Sequence, residues 1–119
     1  MPYIEEDRGL PPAARISKDA ERRIATGILV DGKPFRCDET SAQRIWQCLS
    51  AFQDGLVPPG GTSFRTAAGD VFTLTTQAQA QAIFDAQRRY IAAVLSASAA
   101  LQTGQSGVDW PDRISITLD

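Results

Sequence analysis

Between Gly27 and Cys37 a short apolar run meets a turn and then a second short run. Asp31-Gly32, set between Ile28-Leu29-Val30 and Lys33-Pro34-Phe35, predicts a two-residue type I′ hairpin, because glycine accepts positive φ without a steric penalty. Pairing Val30 with Lys33 puts Ile28, Val30, Phe35 and Cys37 on one face. That face is apolar except for Lys33 at its open end, which can extend its amine to solvent. Pro34 then faces Leu29 with its missing N–H pointing outward, so this strand belongs at a sheet edge.

A helix follows. Thr40-Ser41-Ala42-Gln43 reads as a capping box. Ala42, Ile45, Trp46, Leu49 and Phe52 recur at helical spacing, which predicts that they are core. Gly55 supplies a C-terminal stop, and Leu56-Val57-Pro58-Pro59-Gly60-Gly61 is a linker. The same order then repeats. Ser63-Phe64-Arg65-Thr66 and Val71-Phe72-Thr73-Leu74 flank the turn Ala67-Ala68-Gly69-Asp70, with Phe64 expected opposite Phe72 and Leu74. Thr76-Gln77-Ala78-Gln79 reads as a second capping box. The helix behind it carries a stripe from Ala80, Ile83, Phe84, Gln87 and Tyr90 through Ile91, Val94, Leu95, Ser98 and Leu101. Running to Gly104, it is roughly 40 Å long at 1.5 Å per residue. Its Ala- and Ser-rich end is open to two readings, packing on the first helix or protruding to meet a partner.

The pattern predicts an α+β fold in tandem ββα-ββα order. Four short strands form a small antiparallel sheet covered on one face by two helices. Residues 18–105 make up this domain, with a short helical lead from Ser17 at its start. Residues 1–17 are an extended N-terminal arm, broken by Pro2, Pro11 and Pro12. Residues 106–119 are a C-terminal tail in which Ile114, Ile116 and Leu118 alternate with Ser115 and Thr117 as in a half-buried strand. That strand adds either to the domain's own sheet or to a neighbour's. Trp110 lies outside every periodic stripe, and it either covers one end of the core or anchors in another subunit. The candidate partner contacts are Trp110, Ile114, Ile116 and Leu118 in the tail and Tyr3 and Ile4 in the arm. Truncation after Gly107 is expected to leave a folded but assembly-defective chain.

Composition narrows the chemistry. At 119 residues the chain is one domain at most, and its net charge of −2 argues against duplex nucleic acid as a partner. No stretch is long and apolar enough to span a membrane. The acidic start Glu5-Glu6-Asp7 lacks the apolar run of an export signal, so synthesis in a reducing cytoplasm is expected. Cys37 and Cys48 fit no zinc spacing and read as buried free thiols. The chain contains no histidine, which removes Ser-His and Cys-His nucleophilic chemistry and most metal sites. Asp38 and Glu39 read as helix N-terminal charges rather than a catalytic pair. Glu5-Glu6-Asp7 lacks the ligand alternation of a calcium loop. Gly60-Gly61-Thr62-Ser63 lacks the lysine and following helix of a phosphate loop. No catalytic residue, cofactor or metal site is expected, and the chain is not expected to be an enzyme.

Two stretches carry a resemblance. They are Arg22 to Gly32 with Phe35 to Ile45, and Phe64 to Thr75 with the Ala/Gln-rich helix beyond. In these the chain resembles an uncharacterised domain family of tailed bacteriophages and prophages, domain of unknown function 4376. The resemblance covers roughly residues 20–105, and its motifs are turns and caps rather than a reaction site. It implies a structural component of the virion, at the tail, its tip or its fibres, after synthesis in the host cytoplasm. Expected partners are other phage structural proteins and symmetry-related copies of the chain. The alternatives are a tail-fibre assembly chaperone outside the virion and a capsid decoration protein.

Overall fold

Asp31 and Gly32 both take positive φ, 53° and 78°, the type I′ turn that the Asp-Gly pair predicts. In the computed structural model, which describes residues 12–66 and 69–118, this turn joins β1 (Ile28–Val30) to β2 (Lys33–Phe35). The register is Ile28↔Phe35, Leu29↔Pro34 and Val30↔Lys33, as expected. Ile28, Val30, Phe35 and Cys37 are all buried. A second hairpin, β3 (Thr62–Arg65) and β4 (Val71–Leu74), sets Phe64 opposite Phe72.

A shared device opens both hairpins. Gly27 precedes β1 with φ +77°, and a Cβ there would sit 2.0 Å from the Phe35 carbonyl oxygen at the end of β2. Gly61 precedes β3 with φ +83°, and its Cβ would sit 2.3 Å from the Leu74 carbonyl oxygen at the end of β4. In each unit a glycine lets the chain enter its first strand pressed against the exit of the second.

Among the described residues three helices, rather than two, complete the α+β fold: α1 (Pro12–Thr26), α2 (Glu39–Gln53) and α3 (Gln77–Gln102). The sequence pattern places residues 12–17 in the arm because Pro11 and Pro12 interrupt the periodicity. Pro12 instead lies within the described helix, whose backbone its fixed φ suits. Ile16, Ala20 and Ile24 recur every four residues along α1, and Ala20 and Ile24 join the core. α1 packs on α3, with Gln102 Nε2 donating to Ser17 Oγ at 3.2 Å. The long C-terminal half of α3 is covered by α1, rather than packing on the helix after the first hairpin or protruding. α3 also packs against α2, β1, β4 and β5 and so forms the spine of the molecule.

The caps follow hydrogen-bonding capacity. α3 starts with the capping box of Thr76 and Gln79. α2 starts two residues before the expected box. Asp38 is its N-cap, and the Ser41 N–H donates to Asp38 Oδ1 at 3.1 Å. A carboxylate is the stronger acceptor and the better match to the helix dipole. Partial burial works against ionisation of Asp38, but hydrogen bonds from Ser41 and the Arg36 guanidinium outweigh it and hold its carboxyl below the usual value. The charged form is therefore the one that stabilises the fold. Asp38→Ala should cost about 1 kcal/mol at neutral pH, measured by urea denaturation. The difference from the unsubstituted chain should vanish as the pH falls through the lowered pKa of Asp38, since both chains then lack the charge. α2 and α3 end alike. Gly55 and Leu56 N–H groups donate to Phe52 and Ala51 carbonyls, and Gly104 and Gln105 to Leu101 and Ala100, the Schellman pattern.

Among the described residues the strands form two sheets, not one four-stranded antiparallel sheet. β3–β4 stands alone, and the other sheet has the order β2-β1-β5. Pro34 offers no N–H from the outer side of β2, so that edge cannot accept β3. The two hairpins meet through side chains instead, with the Phe35 and Phe72 rings edge to face at 5.3 Å.

The tail pairs within its own chain. β5 (Ser115–Ile116) runs parallel to β1, and the Leu29 and Asp31 N–H groups donate to Ile114 and Ile116 carbonyls at 2.8 and 2.9 Å. Arg113 donates to the carbonyls of Gly27 at 2.9 Å, Thr26 at 3.0 Å and Ile28 at 3.4 Å. It thereby closes the C-terminal end of α1, where carbonyls lack intrahelical partners and a cation is favoured. The Leu118 N–H donates to Asp31 Oδ1 at 2.8 Å. Trp110, Ile114, Ile116 and Leu118 are half-buried against the core. These four candidate partner contacts thus pack on the core of their own chain, and α1 and β5 both include residues outside the expected 18–105 range.

Candidate interaction surface

Trp46 was expected in the core and is 51% exposed. The stripe on α2 is broader than the contact it makes. Ile45 and Leu49 take the buried positions, and Trp46, one residue round the helix, stands on its rim. Beside it lies a groove of ≈ 620 Å³ between the helices. Ile24 of α1, Cys37, Ala42 and Trp46 of α2, and Phe84 and Ile91 of α3 form its apolar lining. Glu39 and Gln43 supply its polar part. One turn past Ile91, Leu95 is 54% exposed and continues the apolar stripe along α3. The Arg88 guanidinium lies 5.3 Å from the Phe84 ring centre.

The groove contains little that could react. Burial pushes the Cys37 thiol up to about 12, against smaller opposing effects from the Ile28 backbone and Arg113. The thiolate that would be the nucleophile is therefore scarce at neutral pH. Cys48 is half-buried, also free, and its pKa is raised by burial as well. A maleimide reagent should label the native chain slowly and at Cys48 alone, and Cys37 only after denaturation, which peptide mass spectrometry resolves. Gln87 on α3 is fully buried behind the site, and its amide donates to the Arg36 carbonyl at 3.0 Å. It fixes the segment between β2 and α2 to the spine. Among the described residues no three metal-ligating side chains converge, and no helix is long and apolar enough to cross a membrane.

A family model described as Domain of unknown function (DUF4376) matches residues 11–109. The chain belongs to the DUF4376 family. No curated protein and no solved structure matches it significantly. The DUF4376 match takes in all three helices, both hairpins and every residue of the Trp46 groove. It stops at Asp109, one residue before Trp110, although the structure continues the fold through β5.

Of the candidate contacts read from the sequence, the structure packs Trp110, Ile114, Ile116 and Leu118 against the core, with Trp110 beside α1 and β5 beside β1. There the Arg23 guanidinium lies 4.7 Å from the Trp110 ring centre and 3.6 Å from Asp19. Tyr3 and Ile4 lie outside the described residues. The Trp46 groove was missed. The available signal was the setting of Trp46, a large aromatic flanked by Gln43, Arg44 and Gln47.

Proposed function

We propose that this DUF4376 chain is a structural component of a tailed-bacteriophage particle, at the tail, its tip or its fibres, acting through protein–protein contacts. The observation that carries the interaction role is the apolar groove beside a half-exposed tryptophan. Tryptophan is the side chain most often found at the energetic centre of protein interfaces. An apolar concavity rimmed by polar groups is the kind of surface that a partner covers. The phage setting rests on the family resemblance. The tail residues are engaged within the chain, so the groove replaces them as the main contact with neighbouring particle proteins. The role is non-catalytic, and several symmetry-related copies fit the way such particles are built.

Mass spectrometry of purified particles tests the setting: the chain should be present at constant stoichiometry. Its absence would favour an assembly chaperone, and hundreds of copies would favour capsid decoration. Trp46→Ser tests the surface. With half its side chain already in water, the substitution should leave the fold cooperative while costing about 2 kcal/mol of association and removing the chain from particles. Normal incorporation of a folded Trp46→Ser chain would dismiss the groove as the contact.

A further inference from the structure

The chain carries fewer basic than acidic residues, 12 against 14, yet one cavity reverses that balance. It lies beside the start of α2, has a volume of ≈ 310 Å³, and collects Arg36, Arg44 and Arg65 around Thr40. The three arginines come from three places: the segment after β2, the second turn of α2 and the end of β3. Helical side chains lean toward the helix N-terminus, so Arg44 reaches over the turn containing Thr40. Among the described residues one carboxylate lines the cavity, Asp38, and it is already engaged. It caps α2 and meets the Arg36 guanidinium at 3.0 Å. Arg44 and Arg65 have no ion pair or hydrogen bond among the described residues.

Gathering like charges without compensation is unfavourable, and planar guanidinium forks pair well with oxyanions. We infer that this cavity binds a small dianion, a phosphate monoester or a dicarboxylate, through Arg44 and Arg65. Two unpaired guanidiniums match two negative charges, because Asp38 already offsets Arg36. The volume sits at the small end of ligand sites, about 300–1,000 Å³, which suits a compact ligand. The site lies on a different face of α2 from Ala42 and Trp46, so it stands or falls independently of the groove.

The test is an amide-resolved NMR titration of the full chain with inorganic phosphate and, separately, succinate, against sodium chloride at equal ionic strength. Saturable shifts are expected at Arg36 to Arg44 and at Arg65 and Thr66. Saturation with either probe supports the site, and the stronger probe identifies the head group. Arg44→Gln and Arg65→Gln should each weaken binding about tenfold, whereas Arg89→Gln on the exposed side of α3 should not. All three arginines are exposed, so the variants should stay folded, which circular dichroism checks. Shifts that grow linearly and are reproduced by chloride would overturn the proposal. So would binding that neither Arg44→Gln nor Arg65→Gln weakens.

Discussion

A chain ending at Gly107 should fail to fold stably, losing on the order of 5 kcal/mol, which is comparable with the whole stability of a small domain. The deletion removes two backbone bonds to β1, the Leu118 bond to Asp31 and all three bonds from Arg113. It also uncovers the core that Trp110, Ile114, Ile116 and Leu118 shield, and it turns the central strand β1 into an open edge. Thermal and urea denaturation followed by circular dichroism would measure the loss. Arg113→Ala in the full chain isolates one part and should cost about 2 kcal/mol, the usual scale for hydrogen bonds to a charged group. If the truncated chain melts cooperatively within a few degrees of the full one, the tail is an appendage and this account of it is wrong.

Gly27→Ala should cost about 3 kcal/mol or more, and the reason is a sum of two effects. An alanine at φ +77° is strained by about 1–3 kcal/mol. Its methyl group would also overlap the Phe35 carbonyl, and backbone cannot move aside as a flexible side chain can. Gly32→Ala separates the two. Gly32 has φ +78°, but no atom of the described residues lies within 4 Å of the added carbon. It should show the strain alone, about 1 kcal/mol, at the low end of that range. Gly61→Ala, facing the Leu74 carbonyl, should behave like Gly27→Ala. Equal losses at Gly27 and Gly32 in urea denaturation would mean that the close approach contributes nothing.

What could be read from the sequence was local. The β1–β2 register follows from one dipeptide, Asp31-Gly32, whose turn type leaves no choice of pairing. The start of α3 follows from Thr76-Gln77-Ala78-Gln79, four residues that hold all the information needed. α1 was harder, because its apolar contribution is thin and Pro12 signals a break as readily as a helix start. The strand at Ser115 was visible as alternation, but nothing local names a partner so far up the chain. Arg113 is one cation among many until the carbonyls of Thr26 and Gly27 are placed beside it. The same holds for the candidate surfaces. Helical spacing cannot separate Trp46 on the rim from Ile45 beneath it, and it cannot bring Arg65 to Arg44.

The parallel pairing of β1 with β5 also sets an order of events during synthesis. Arg113 and Gly27 are 86 residues apart. At ribosomal rates of about 5–20 residues per second, β1 leaves the ribosome roughly 4–17 seconds before the segment that covers it. For that interval its outer row of N–H and C=O groups is a template that any nearby strand can join. A nascent chain crowded among copies of itself would then meet the hazard of exchanging β5 with a neighbour, at the strand that ends up in the middle of its sheet.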